Sequence, residues 1–276
     1  MNMLSGLGIW IWQLAACERG RIDAIAEKAK RCGVSWVAIK AGESRSNGQV
    51  TRERVEVLRA AGIECAAWWY SVPTTVSAQI ALARDLVHEQ GVRHLICDAE
   101  FEWETSHDAH DKLVSHDWRT EARTFAARLR DAVGPDVYLA DAPWSIVKAH
   151  PIWPWNEFGA VLDARMDQCY WRLARQPFAQ FAARADAAWS ALAGGPPRCP
   201  IGCMVDYHGT DHAPLHELDE FLDHYALAPA HSLWSWQHLS AAEWAVLEQR
   251  AAHSREPVSA GLCAVMKYTL GPESQT

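Results

Sequence analysis

A (β/α)8 barrel is the fold predicted by eight apolar or β-rich runs that alternate with helically spaced segments, by glycines closing three of those segments, and by the lack of a Gly-x-Gly-x-x-Gly turn. The runs are Gly8–Leu14, Trp36–Ala41, Glu64–Ser71, His94–Phe101, Val137–Ala142, Met166–Trp171, Pro200–Tyr207 and Ser232–Gln237. Between them Ile22–Cys32, Val50–Ala61, Ser77–Gln90, Thr120–Val133, Phe178–Leu192 and His216–Tyr225 carry apolar residues at helical spacing. Cys32-Gly33, Ala61-Gly62 and Gln90-Gly91 place glycine where a helix needs a left-handed C-terminal cap. A doubly wound sheet binding a dinucleotide would carry its phosphate turn after the first strand, and none is there. The sequence divides nowhere, so residues 1–276 read as one domain, with Ala193–Pro197 and Glu104–Asp117 as loops inside it.

Composition narrows the function. An apolar fraction of 49% supplies a real core, and a net charge of -8 argues against a nucleic-acid surface. Met1–Gln13 shows no basic start and no cleavage site, and no run of eighteen apolar residues exists, so a cytoplasmic chain without membrane insertion is expected. The eight cysteines are scattered, as small buried hydrophobes are in a reducing compartment. Cys199-Pro-Ile-Gly-Cys203 has no second pair to complete a tetrahedral metal site.

The fourth run carries the chemistry. Alternation places Asp98, Glu100 and Glu102 on one face, with Leu95, Cys97, Ala99 and Phe101 on the other. At the C-terminal end of a barrel strand these acids lie at the mouth, and the segment Ala142–Gly159 is expected to overhang it. Fifteen tryptophans form the second signal, many of them in or just after proposed strands. Indole rings stack on sugar C–H faces while their N–H seeks a polar partner. Carboxylates flanked by Trp68-Trp69-Tyr70 and Ala142-Pro143-Trp144 point to a carbohydrate ligand.

Asp98-Ala99-Glu100, together with Val37–Glu43, Ala61-Gly62-Ile63, Trp69-Tyr70-Ser71 and Trp234-Ser235-Trp236-Gln237, resembles the lysozyme-type glycoside hydrolases of family 25 and their barrel relatives. Each matching piece is short, and the acidic pair is the most specific. The family's first-strand aspartate has no counterpart in Gly8-Ile-Trp-Ile-Trp-Gln13; Asp141, Asp167 and Asp206 are candidates to compensate, Asp206 with His208 as an auxiliary pair. The resemblance implies cleavage of a β-linked amino-sugar polymer, bacterial cell-wall peptidoglycan, by a protein reaching the wall through a phage-type or secretion route.

Hydrolysis of a glycoside needs one acid to protonate the leaving oxygen and a second carboxylate as nucleophile, base or electrostatic support. Glu100 is the expected acid, its pKa raised by aromatic neighbours such as Trp69 and Trp103 and by the charge of Asp98. Asp98, deeper in the barrel, is expected to stay ionised through Lys40 or a tyrosine. Trp10, Trp12, Lys40, Trp69, Tyr70, Glu102, Asp141, Trp144, Tyr170, Asp206, Trp236 and Gln237 are the expected substrate-binding residues, with no cofactor and no metal. Two other readings compete: a non-catalytic glycan-binding barrel, favoured by the missing first-strand acid, and a metal-dependent barrel hydrolase or isomerase using Asp98, Glu100, Asp206 and His208. No Gly-x-Ser-x-Gly elbow or Gly-x-x-x-x-Gly-Lys loop supports serine or nucleotide chemistry.

Overall fold

The computed structural model describes residues 3–108, 110–192, 195–206 and 209–255; Tyr207 and His208 therefore lie outside the described residues, and with them half of the Asp206–His208 pair. The strands are β1 (Gly6–Ile11), β2 (Val34–Gly42), β3 (Glu64–Ser71), β4 (His94–Ala99), β5 (Tyr138–Asp141), β6 (two runs, Ala164–Arg165 and Gln168–Cys169), β7 (Ile201–Cys203) and β8 (Ala230–Trp234). All pair in parallel, and β1 sits between β2 and β8. The first run of β6 pairs with β5 and the second with β7. One short segment thus joins both edges, through Met166 N–H to Asp141 O and Ile201 N–H to Asp167 O, each at 2.8 Å. The result is a TIM barrel, as the alternation of strands and helices predicts.

Among the described residues eight α-helices surround the ring: α1 (Ile22–Arg31), α2 (Arg52–Ala60), α3 (Val76–His88), α4 (Arg119–Val133), α5 (Trp155–Gly159), α6 (Phe178–Ser190), α7 (Leu215–His224) and α8 (Ala241–Arg255). Each strand residue chooses between two cores. Outward residues such as Ile9, Val37, Ile39, Ala67, Leu95 and Leu139 pack beneath the helices. Inward residues, among them Trp36, Ala38, Ala66, Ile96, Tyr138, Met166 and Ile201, fill the barrel floor. Large and small side chains must interleave there: a Cβ on Gly8 would come within 2.1 Å of the Trp36 indole, so only glycine fits.

The polar stretch read as a loop contains a small antiparallel hairpin, Thr105–His107 with Leu113–Ser115. The segment expected to overhang the mouth does so only in part. Trp153, Trp155 and Phe158 turn away and are buried in the outer core, because their apolar surface is better covered beneath the helices than at a wet rim. The seven described cysteines are buried and unbridged. Among the described residues no helix is long and apolar enough to cross a membrane.

Candidate active site

At the C-terminal ends of the strands a cavity of about 330 Å3 opens. Inward alternation brings Trp10 and Trp12 from β1 and its exit, Lys40 from β2, Trp68 and Tyr70 from β3, and Asp98 and Glu100 from β4 and its exit. From the opposite wall come Trp144, Gln168, Tyr170, Asp206, Trp234 and His238. Trp10, Trp68 and Trp234 form a cluster with ring centroids 5.4 to 5.9 Å apart. Two of the three polar edges are held: Trp10 Nε1 donates to Ser232 Oγ at 3.0 Å and Trp68 Nε1 to Ile11 O at 3.2 Å. Those two rings are therefore oriented before any ligand arrives.

The two central carboxylates share one donor. Gln168 Nε2 donates to Asp98 Oδ1 at 3.3 Å, to Glu100 Oε1, and to Ala142 O at 3.0 Å. Burial holds the Asp98 carboxyl well above the usual carboxylate range, and the charge of Glu100 pushes it further; Lys40 and Gln168 oppose both. Burial likewise raises Glu100, with Glu102 adding to it and Gln168 opposing. The coupled pair favours holding a proton. Of the groups expected to favour the ionised form of Asp98, Lys40 acts in that direction, whereas the Tyr70 hydroxyl donates to Glu102 Oε2 at 2.5 Å.

Five of the expected binding residues do not line the cavity. Trp69 points outward and donates to Gln79 Oε1 at 3.1 Å, since alternation opposes it to its neighbours Trp68 and Tyr70. Asp141 also faces outward, fully buried, with Arg165 Nε 3.7 Å away. Trp236 packs on Trp244 and donates to Glu18 Oε1 at 3.3 Å, behind the barrel wall. Gln237 accepts from the Trp12 backbone N–H at 3.4 Å and so braces the end of β1. Glu102 lies on a 3-10 turn, Phe101–Trp103, which ends the strand alternation, and reaches the site only through Tyr70. Trp103, expected beside Glu100, is instead buried on Phe125.

Trp68, Gln168, Trp234 and His238 line the cavity although they are not among the expected binding residues. For three of them the signal was present: Trp68 shares a strand face with Tyr70, Gln168 with Tyr170, and Trp234 with Ser232. His238 lies after β8, where no periodicity assigns a side. Asp206 reaches the cavity while its Oδ1 accepts from the backbone N–H of Thr210 and Asp211, so the same carboxylate also shapes its own turn. Among the described residues no group of three or more His, Cys, Asp or Glu side chains is placed to hold a metal.

No protein-family model and no curated relative matches the chain. Solved structures do. An endo-1,4-β-D-mannanase from Thermotoga petrophila RKU-1 superposes with a TM-score of 0.63 at 8% identity, covering 91% of this chain and 100% of its own. A family 18 N-acetylglucosaminidase from Paenibacillus barengoltzii gives 0.62 at 10%, covering 89% and 99%. A putative chitinase A from Streptomyces coelicolor gives 0.58 at 13%, covering 91% and 99%. Identities this low speak for architecture, and on that ground the chain has the TIM-barrel fold of these three proteins.

Proposed function

We propose that this protein is a glycoside hydrolase of β-linked amino-sugar polymers, with bacterial cell-wall peptidoglycan as the substrate. The observation that carries the proposal is the sharing of the Gln168 amide by Asp98 and Glu100 inside a cavity walled by Trp10, Trp68, Trp144 and Trp234. Glu100, the less buried acid and the one nearer the mouth, donates its proton to the glycosidic oxygen as the C–O bond breaks. The resulting carboxylate keeps the Gln168 N–H and then accepts a proton from the water that attacks the anomeric carbon. One water is consumed and Glu100 is restored. With the pair's one proton on Glu100, Asp98, favoured as the anion by Lys40 and the Gln168 amide, faces the positive charge that develops on the sugar and orients its 2-acetamido group. The likeness to an N-acetylglucosaminidase barrel accords with an amino-sugar ring.

No acid from β1 enters the cavity, to which β1 and its exit contribute Trp10 and Trp12. That absence favours a second reading, a barrel that binds glycan without cleaving it. Digestion of purified peptidoglycan and of a panel of amino-sugar polymers, by wild type and by Glu100→Gln, separates the two. Release of reducing ends by wild type alone supports hydrolysis with Glu100 as the acid, with a loss on the order of 10²- to 10⁴-fold in the variant. Binding without release by either protein supports the second reading, and equal turnover by both removes Glu100 from the mechanism.

A further inference from the structure

A second hollow of about 420 Å3 lies beside the first, over the loop that follows β2, and the two share Trp12 and Lys40. We infer that this shelf is a subsite for a further sugar ring of the same saccharide chain, stacked on Trp12 outside the cavity that holds Asp98 and Glu100. The inference rests on the glycan reading of the site and extends it to substrate length.

Three observations carry it. Trp12 is 40% exposed, whereas Trp10, Trp68 and Trp69 are at most 2% exposed, so one indole is left in water at the ridge between the hollows. Apolar rings in that position bind flat C–H faces, and a pyranose offers one while its hydroxyls remain free for polar neighbours. The shelf is also preformed. Gln49 Nε2 donates to Trp12 O and to Lys40 O, each at 3.0 Å, while its Oε1 accepts from Leu14 N–H, tying the exits of β1 and β2 together. Gly42, at a φ of +151°, lets the loop pass so close that a Cβ would fall 1.9 Å from Arg45 O. Loop order fixed in this way removes an entropy cost from binding. Finally, the first cavity lies at the small end of the range for ligand sites, so a polymer entering it must continue somewhere. The shelf offers Ser44, Arg45 and Asn47 to sugar hydroxyls in the direction that Trp12 marks.

The test is calorimetric titration of Glu100→Gln protein with β-1,4-linked amino-sugar oligomers of two to six rings, built of N-acetylglucosamine alone or alternating with N-acetylmuramic acid. Affinity is expected to rise by about tenfold at one particular added ring, the contribution of a single stacked indole. That step should collapse in Trp12→Ala and in Ser44→Trp, the second of which fills the shelf from an exposed loop without removing any core contact. Oligomers that bind with no step, or a step that survives both substitutions, would overturn the subsite and leave the glycan reading standing. Failure of every oligomer to bind, in wild type and in Glu100→Gln alike, would overturn both.

Discussion

Gln168 on β6 donates its side-chain amide to Asp98 on β4 at 3.3 Å, and the same nitrogen also serves Glu100. The hydrogen bond stabilises the ionised form of either acid and fixes Glu100 against the wall. Gln168→Ala should therefore raise both carboxyl pKa values further. Because Glu100 must be protonated to act, the alkaline limb of the pH–activity profile should move upward while turnover falls by roughly tenfold or more. Carbon-13 titration of the two carboxyls reads the same shift without requiring turnover, and unchanged titration in the variant would remove Gln168 from this role.

Asp141 gives a pH signature of its own. Burial pushes its carboxyl up to about 7, although Arg165 opposes the shift. Its folded pKa thus lies above the unfolded value of roughly 3.9. The contribution to stability is complete below about pH 4, declines as pH rises through 7, and is constant above. Urea unfolding of wild type and Asp141→Asn from pH 4 to 9 should give a difference in stability that changes across this window and then levels. A flat difference would mean that Asp141 is ionised throughout.

At Gly8 the expected effect is on stability alone. An added methyl must displace the Trp36 indole from a filled barrel floor, so Gly8→Ala should cost about 1–3 kcal/mol or more in urea unfolding. Unaltered stability would show that the floor can repack.

Behind the ring, Arg198 donates to Asp167 through Nε at 2.7 Å and through a terminal nitrogen at 2.9 Å, and it also pairs with Asp186. Asp167 is fully buried and accepts one further bond, from Ser145 at 2.6 Å. Arg198→Ala leaves that carboxylate without its countercharge and should cost about 3–5 kcal/mol. A Lys at this position restores charge but not the paired donors, so Arg198→Lys is expected to fall between the two in thermal unfolding.

Much of the site was legible because a strand repeats every two residues. Asp98 and Glu100 had to share a face, as had Lys40 with Trp36 and Tyr70 with Trp68. Trp69 is expected in the cavity against that rule, drawn by its ring, and Asp141 on charge alone with no face assigned; the structure places both outside it. Glu102 shows where the rule ends, because the chain leaves strand geometry at Phe101.

The sequence by itself determined the eight-fold alternation, the face of each strand residue and the acidic pair, since these depend on local periodicity. Tertiary structure alone decided which face became the interior and which distant residues met there. Trp10 and Trp234 stand 5.9 Å apart only because β1 pairs with β8, and Gln168 reaches Asp98 only because β6 bends to join both edges of the sheet. Ring closure is a property of the whole chain, and no local pattern encodes the distance across it.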